Sequence, residues 1–202
     1  MSRYTGPKYR LCRREGINLF GNEKYNLTKK AYAPGIHGPK GSFAKPSEYS
    51  RQLREKQKLK RYFGVTEKQL SNYFKQAAKK KDITGEALVK LLKTRFDNVI
   101  FEAGFAKSRP QARQMINHGH FKLKGKKTNI PSCQLNSGDK FEVIEKLKQK
   151  ALYSELNKQK FTPPKWLKVD YSTKSGELTR VIEKEDLEKF FQTSLIVEYY
   201  SK

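Results

Sequence analysis

The chain has 202 residues, of which 44 are Lys or Arg and 20 are Asp or Glu, so its formal net charge is +24. Hydrophobic residues make up 36%, which is enough for one or two small domains. Such an excess of one sign makes a compact chain repel itself unless a polyanion neutralises it. A surface of balanced, solvated charge is therefore excluded, and a nucleic-acid partner is predicted.

The positive charge is concentrated at the start of the chain. Residues 1–60 carry fifteen Lys and Arg against four Glu, whereas residues 151–202 carry nine basic against eight acidic residues. The first part is therefore predicted to face the polyanion, and the last quarter is predicted to be mainly structural.

Cysteine usage and apolar content indicate the compartment. Cys12 and Cys133 are the two cysteines, and they give neither a disulfide framework nor a paired zinc spacing. No apolar run approaches the roughly 20 residues of a membrane-spanning helix, and the first residues lack an apolar signal-peptide core. The sequence predicts a soluble intracellular protein with no membrane partner.

Residues 1–45 are predicted to form an extended, loop-rich basic arm, because Gly and Pro interrupt them frequently. Aromatic residues between the charges are suited either to stacking on unpaired bases or to a small local core. The segment PGIHGPKG at 34–41 would let the backbone approach a phosphate closely, and it fits a turn-rich linker equally well. The RNA contacts expected from this arm are Arg10, Arg13, Arg14, Lys30, His37 and Lys40.

Helices are predicted after the arm. Ser47 is an N-cap for a basic helix through Tyr62, whose thin apolar face requires a partner surface. Thr66 and Gln69 then form a capping-box pattern ahead of an amphipathic stripe. A further pattern starts near Thr84, and residues 95–98 either continue it or break it into a second helix. The first helix contributes candidate RNA contacts at Arg51, Arg54, Lys56, Lys58 and Arg61.

Residues 96–143 are the most informative stretch. Ser108 and Gln111 give a second capping box, at the start of a helix that stops at Gly119. The N-terminus of that helix is a natural seat for phosphate. Alternation on both sides of Gly125 predicts a hairpin bearing lysines, and 136–139 predicts a turn into a further strand. The side chains expected to project outward from the helix, because its apolar residues face inward, are Arg109, Arg113, Gln114 and Asn117.

This helix and hairpin form a rigid surface with cations on one side. Planar arginine forks and lysine point charges together favour contact with the RNA backbone over base reading. Such a surface is suited to folded RNA, recognised across a shallow groove or a junction.

The last third carries weaker patterns. Leu167 and Val169 predict a short strand, and 175–181 predicts a turn into another strand. Residues 183–191 predict an acidic helix. Alternation of apolar residues at 195, 197 and 199 predicts a terminal strand or an extended tail packed on the helical domain.

The sequence offers little for catalysis. His118 and His120 flank a helix end, where imidazole can satisfy terminal carbonyls or touch RNA. No Ser-His-Asp or Cys-His grouping, phosphate-binding Gly-rich motif or isolated acid pair stands out. A binding protein is therefore expected, with no cofactor and no metal.

Residues 96–143 resemble the RNA-binding module named after small-subunit ribosomal protein S4, which pseudouridine synthases and tyrosyl-tRNA synthetases also carry. Segments outside the module, from YTGPKYRLCRREG near the start to LIVEYYSK at the end, resemble the bacterial-type S4 family in order. The resemblance covers essentially the whole chain. The positions that match the module are Arg95, Asp97, Asn98, Ser108, Arg109, Gln111, Arg113, Asn117, His118, Gly119, His120, Gly125 and Lys126.

The resemblance implies an α+β fold. A helical domain carries an inserted small α/β RNA-binding module, with helices packed on a short antiparallel sheet, and an extended basic N-terminal arm precedes it. The expected boundaries are 1–45 for the arm, 46–94 for the helical domain, completed by about 175–202, and 95–174 for the module and its edge. The candidate RNA-binding residues of the module are Arg95, Ser108, Arg109, Gln111, Arg113, Gln114, Asn117, His118, His120, Lys122, Lys124, Lys126 and Lys127.

The resemblance also implies a role. S4 proteins bind small-subunit rRNA directly at a helix junction of its 5′ domain and nucleate assembly. They neighbour proteins S5 and S3 at the mRNA entrance, and they support translational accuracy. The expected location is the small ribosomal subunit in the cytoplasm, or in an organelle with a bacterial-type ribosome. The alternatives are a non-ribosomal RNA-binding regulator and an RNA-modifying enzyme carrying the same module.

One departure from the family concerns metal. Many relatives bind zinc through four cysteines in the arm, whereas here Cys12 remains and Tyr9 occupies its partner's position. A thiolate tetrad cannot form, so no zinc is predicted. The arm is expected to be held by packing and by rRNA instead.

Overall fold

The computed structural model describes residues 4–27, 30–39, 45–154, 162–188 and 190–201. The chain divides into two compact units, residues 1–85 with 188–202 and residues 86–187. Helices and an antiparallel sheet are both present, which confirms the predicted α+β class. Residues 86–94 and 175–187, which the sequence assigned to the helical domain, lie in the second unit. Residues 175–178 form an inner strand of its sheet, and the Lys93 ammonium donates to the Asp186 carbonyl.

The helices in chain order are α1 (Lys8–Glu15), α2 (Glu48–Phe63), α3 (Glu67–Ala78), α4 (Thr84–Lys93), α5 (Phe96–Glu102), α6 (Arg109–Asn117), α7 (Glu145–Lys148), α8 (Ala151–Ser154) and α9 (Thr193–Ser201). The strands are β1 (Phe121–Leu123), β2 (Lys126–Thr128), β3 (Lys140–Val143), β4 (Leu167–Asp170) and β5 (Ser175–Leu178). Single 3₁₀ turns occur at Glu23–Tyr25 and Lys184–Asp186.

The predicted helix starts after the arm are confirmed. The Ser47 hydroxyl accepts a hydrogen bond from the Ser50 N–H at 3.2 Å at the start of α2. Thr66 and Gln69 form both halves of the capping box of α3, at 3.3 and 3.0 Å. Each cap satisfies N–H groups that would otherwise lack a partner in the first turn of its helix.

The arm, predicted to be extended and loop-rich, also contains one helix that the sequence did not predict, α1. Pro7 and Gly16, which look like breakers, are instead the boundaries of the helix: Pro7 precedes its first turn, and Gly16 ends it with φ of +70°. Cys12 and Leu19 are buried in the same unit. The interval between Pro7 and Gly16 is long enough for two turns of helix. Packing of Cys12 and Leu19 stabilises this short helix.

The C-terminal segment is also a helix rather than the predicted strand or tail. α9 packs along α2, where the Gln52 amide donates to the Glu198 carboxylate at 3.0 Å. Ile196 is fully buried, and Tyr200, four residues later, stacks on Phe74 with ring centroids 4.6 Å apart. Ile196 and Tyr200 lie on one helical face, and packing of this face favours a helix over the strand that the alternation at 195, 197 and 199 predicted. The same helix is the partner that the thin apolar face of α2 requires.

The acidic helix predicted for 183–191 is reduced to one 3₁₀ turn in the part of this segment that the structure describes. The Asp186 carboxylate accepts from the Glu183 N–H at 3.0 Å and lies 2.9 Å from the Arg180 guanidinium. These local bonds close the turn and leave little to extend it.

The second unit resolves the open question at 95–98 in favour of a break. Arg95 is extended, with φ −63° and ψ 138°, and it pairs with Gln134 in an isolated bridge. The Phe96 N–H donates to the Cys133 carbonyl at 2.8 Å, so α5 starts as a new helix.

The sheet of this unit is antiparallel throughout, with the order β2-β1-β3-β5-β4. The predicted hairpin, the turn at 136–139 and the strands at 141–143 and 167–169 are confirmed. Phe96, Phe105, Phe121 and Phe141 pack edge to face in the core, with centroids 5.9 to 6.1 Å apart. This core fixes α5 and α6 on one face of the sheet and so positions the predicted RNA-binding residues.

Candidate RNA-binding surfaces

Helix α6 begins as its sequence predicts, with one change in the cap. The Ser108 hydroxyl accepts from the Gln111 N–H at 3.4 Å. The Gln111 side chain accepts from the Lys107 N–H at 2.8 Å rather than from Ser108, so the second half of the box is shifted by one residue. Lys107 is an exposed cation beside this helix start. Lys107 was not among the predicted RNA contacts, although its position directly before the N-cap could have indicated one.

A buried carboxylate joins α5 to α6. Asp97 accepts from Arg95 at 3.0 and 2.8 Å and from Arg113 at 2.8 and 2.6 Å. Asp97 and Arg95 are nearly inaccessible, and the Arg113 side chain is 13% exposed. Two guanidinium groups thus share one carboxylate inside the fold, an arrangement in which each charge needs its partner.

Arg109 is held in a second network next to the first. Its Nε donates to the Asn98 side-chain carbonyl at 2.7 Å, and its guanidinium lies 4.4 Å from the Phe101 ring centroid. Asn98 in turn donates to Glu102 at 2.8 Å, and the Arg109 guanidinium is 3.9 Å from Glu102.

The prediction that Arg109 and Arg113 project outward is therefore wrong. The apolar residues of α6 were expected to fill its inward face and leave the arginines in solvent. Instead, Asn98 and Asp97 of α5 accept hydrogen bonds from Arg109 and Arg113 inside the fold. Arg95 is buried for the same reason. Contact of these three residues with RNA stays a prediction, and their observed partners are in the protein.

The C-terminal end of α6 is open to solvent. Gln114, Asn117 and His118 are exposed. Gly119 has φ of +68°, and a Cβ built on it would lie 2.5 Å from Cε of Lys127. The Lys127 stem therefore crosses this glycine and brings an ammonium group to the exposed helix end, where glycine alone leaves room for it.

The hairpin presents the other cations of this surface. Its two-residue turn, Lys124 and Gly125, has φ of +52° and +77°, the positive pair of a tight hairpin turn. Lys124 lies 2.9 Å from Asp139 and Lys122 lies 3.1 Å from Glu142, yet both lysines keep substantial exposure. Lys126 and Lys127 are exposed.

His120 differs from its neighbour His118. Its Nδ1 and the Tyr153 hydroxyl are hydrogen-bonded at 2.8 Å. Burial lowers the pKa of His120, and Lys150 and His118 lower it further. The imidazole is therefore neutral near pH 7 and acts as a hydrogen-bonding group rather than as a cation.

In the helical unit, which is residues 1–85 with 188–202, the predicted RNA contacts also fall into two groups. Arg10, Arg14, Lys30, His37 and Arg51 are exposed. Lys40 lies outside the described residues. The remaining candidates have partners inside the protein, and they are Arg13, Arg54, Lys56, Lys58 and Arg61.

One of these internal partners is Glu15, whose role was not predicted. Its side chain is completely buried and forms salt bridges with Arg54, at 3.3 Å, and with Arg61. One of its oxygens has no hydrogen-bond partner among the described residues. Glu15 is the single acid in α1, among four basic residues. This position could have indicated that it pairs with cations of the protein.

Lys56 lies under the aromatic residues of α9. Its ammonium is 4.2 Å from the Tyr199 ring centroid and 2.8 Å from Glu67, and the residue is buried. Lys58 pairs with Glu55 on the same helix. Lys56 thus stabilises the packing of α2 against α3 and α9, whereas the partner of Lys58 is on its own helix.

Three further properties bear on the site. Among the described residues, no group of three or more His, Cys, Asp or Glu side chains could hold a metal ion. No described helix is both long and apolar enough to cross a membrane. Burial raises the pKa of the Cys12 thiol, which makes the thiolate needed for zinc binding less accessible.

The fold and the module define the class of protein. Residues 94–141 match the family model described as the S4 domain, and residues 3–93 match the one described as the ribosomal protein S4/S9 N-terminal domain. The chain is thus an S4-domain protein that carries the N-terminal domain of the ribosomal members.

Full-length relatives narrow this class. The chain is 47% identical to small ribosomal subunit protein uS4 of Heliobacterium modesticaldum, 46% to that of Desulfitobacterium hafniense and 45% to that of Natranaerobius thermophilus. Each alignment covers 100% of both chains. The chain belongs to the uS4 family of small ribosomal subunit proteins, as the sequence motifs predicted.

Proposed function

We propose that this chain is a structural constituent of the small ribosomal subunit and binds small-subunit rRNA directly. The observation that carries the proposal is similarity along the entire length to small ribosomal subunit proteins uS4. A module grafted onto an unrelated enzyme or regulator would match over the module alone.

The exposed cations of each unit are the proposed RNA contacts. In the second unit they lie at the end of α6 and on the hairpin, where Lys126 and Lys127 are exposed. In the helical unit Arg10, Arg14 and Arg51 are exposed. Phosphate neutralisation by such residues supplies affinity and positions the protein, while base identity contributes little.

The buried arginines have a different proposed role. Arg95, Arg109 and Arg113 tie α5 to α6 through Asp97 and Asn98. This holds the end of α6 and the strand that follows it at a fixed angle. A preorganised surface loses less entropy on binding a rigid RNA than a mobile one does.

We extend the proposal to the finer role that the family resemblance implies. The rRNA site is a helix junction in the 5′ domain, where binding nucleates assembly. The neighbours are proteins S5 and S3 and the mRNA at its entrance, and the contact with S5 supports translational accuracy. The location is the cytoplasm, or an organelle with a bacterial-type ribosome.

We also propose that the chain acts by binding and not by catalysis. The buried carboxylates of Asp97, Asp139 and Glu15 each form a salt bridge with a cation of the protein. They are thereby explained as structural groups, and a general acid or base would need access to a substrate.

Sedimentation of cell extracts tests this function. On a sucrose gradient at physiological salt, a tagged copy of the chain is expected to run with the small ribosomal subunit and to leave it when the subunit is stripped with high salt. Most of the protein running free of subunits would contradict the proposal.

A further inference from the structure

The loop 32–38 in the arm displays an apolar side chain to solvent. Ile36 is 92% exposed, the highest exposure of any large hydrophobic residue among those described. The next residue, His37, is exposed as well. An isoleucine side chain held in water gains nothing from burial, so contact with a partner would stabilise it.

This loop is tightly closed rather than a loose linker. The Gly38 N–H donates to the Gly35 carbonyl at 3.1 Å, and Gly35 has φ of +105°. A Cβ built on Gly38 would lie 1.8 Å from the Ala33 carbonyl oxygen. The backbone therefore closes on itself in a way that a side chain at position 38 would prevent.

Arg13 fixes the base of the loop on α1. Its Nε donates to the Tyr32 carbonyl at 3.0 Å, and one of its terminal nitrogens donates to the Ala33 carbonyl at 3.2 Å. The guanidinium also lies 4.6 Å from the Tyr32 ring centroid and 5.8 Å from that of Tyr9. Arg13, predicted as an RNA contact, is thus positioned to hold the loop.

The charge of the sequence that contains the loop indicates what kind of partner it binds. No acidic residue occurs between Glu23 and Glu48, and that interval contains five lysines. An apolar tip in a stretch of sequence that carries lysines and no acid fits a polyanion that also offers apolar faces. RNA meets both requirements, because unpaired bases expose their faces and the minor groove of an RNA helix is wide and shallow.

We propose that the loop 32–38 is a rigid finger that seats Ile36 against a base of the small-subunit rRNA, with His37 beside the same nucleotide. Lys30, which is exposed and lies two positions before the loop in sequence, neutralises a phosphate of the same RNA. This inference rests on the proposed rRNA binding and deepens it, since it adds an apolar contact that the cation surfaces do not supply.

The contact has a signature that separates it from phosphate binding. An isoleucine neutralises no phosphate and releases no counterions. Its removal should therefore lower affinity equally at every salt concentration, whereas removal of a cation also lowers the slope of log K against log salt.

The test is filter binding of the full chain to small-subunit rRNA across a salt series. Ile36→Ala is expected to weaken binding by about tenfold, because most of the apolar surface buried against the base is lost, with an unchanged salt slope. Gly38→Ala should weaken binding to a similar extent although Ile36 is still present, because the closed loop cannot form. Val181→Ala, which shortens an apolar side chain that is 68% exposed in the other unit, should bind as the unaltered chain does.

Chemical probing of the bases identifies the occupant. At least one base protected by the unaltered chain is expected to become reactive with Ile36→Ala. Unchanged affinity and an unchanged probing pattern would overturn the finger, and so would a normal affinity for rRNA combined with poor incorporation into subunits, since a protein would then be the partner. Failure of the unaltered chain to bind the rRNA would instead overturn the proposed function itself.

Discussion

Asp97 shows how a residue can govern an RNA-binding surface without being exposed. Its carboxylate accepts hydrogen bonds from Arg95, which precedes α5, and from Arg113 in α6. The arginines are the residues that a reader of the sequence assigns to RNA, yet their donors are engaged inside the protein. Removing the acid would leave two guanidinium groups without their shared counter-charge in a nearly dry site.

The variant Asp97→Asn is therefore expected to lower the free energy of unfolding of the second unit by about 3 kcal/mol. Trp166, the single tryptophan, is buried in the core of that unit, so its fluorescence during urea unfolding reports the change. Glu185→Gln removes the same charge from an exposed position of the same unit and should have little effect. Equal stability of the two variants would show that the arginines do not depend on Asp97.

At the scale of elements, α1 depends on an ion pair that is costly to bury. Burial raises the pKa of the Glu15 carboxyl above its ordinary value of 4.5, against the lowering effects of Arg54 and Arg61. Burial also lowers the pKa of Arg61. The docked helix therefore holds a proton on Glu15 more tightly than the undocked helix does.

The free energy of docking of α1 therefore depends on pH. Docking of α1 should become more favourable as the pH falls through the raised pKa, and this gain should level off below about 4.5, where both states are protonated. Amide hydrogen exchange of α1, corrected for intrinsic rates and referred to α3, measures it. Greater protection at pH 5 than at pH 7 is expected.

Two variants make this measurement specific. Glu15→Gln should abolish the pH dependence, while Glu23→Gln, an exposed position in the arm, should leave it intact. The same pH dependence in both variants would assign it to another group.

Local signals decided which elements could be predicted. Ser47 and Thr66 mark helix starts through hydrogen bonds within three residues, and Lys124 with Gly125 closes its hairpin in the same local way. α9 could not be predicted, because its helical face is defined by packing on α2, which lies far away in sequence. The inward turn of Arg109 and Arg113 escaped prediction for the same reason, since their partners are on another helix.

For the whole molecule, the net charge of +24 is the property most directly tied to function. Charge on this scale favours association with RNA and also opposes compaction. Several cations are neutralised within the units by acids such as Glu15 and Asp97. The exposed cations that remain are available to phosphate, so the same sequence supplies both a stable scaffold and a binding surface.

The salt dependence of rRNA binding tests direct phosphate contact most directly. The purified chain is expected to bind small-subunit rRNA in preference to large-subunit rRNA, with log K falling linearly with log salt. The double variant Lys126→Ala with Lys127→Ala should lower the slope by roughly 0.9 for each phosphate that is no longer neutralised. The matched pair Lys165→Ala with Lys168→Ala, two exposed lysines of the same unit, should leave the slope unchanged. Equal slopes for all three proteins, or no preference between the two rRNAs, would contradict direct binding through this surface.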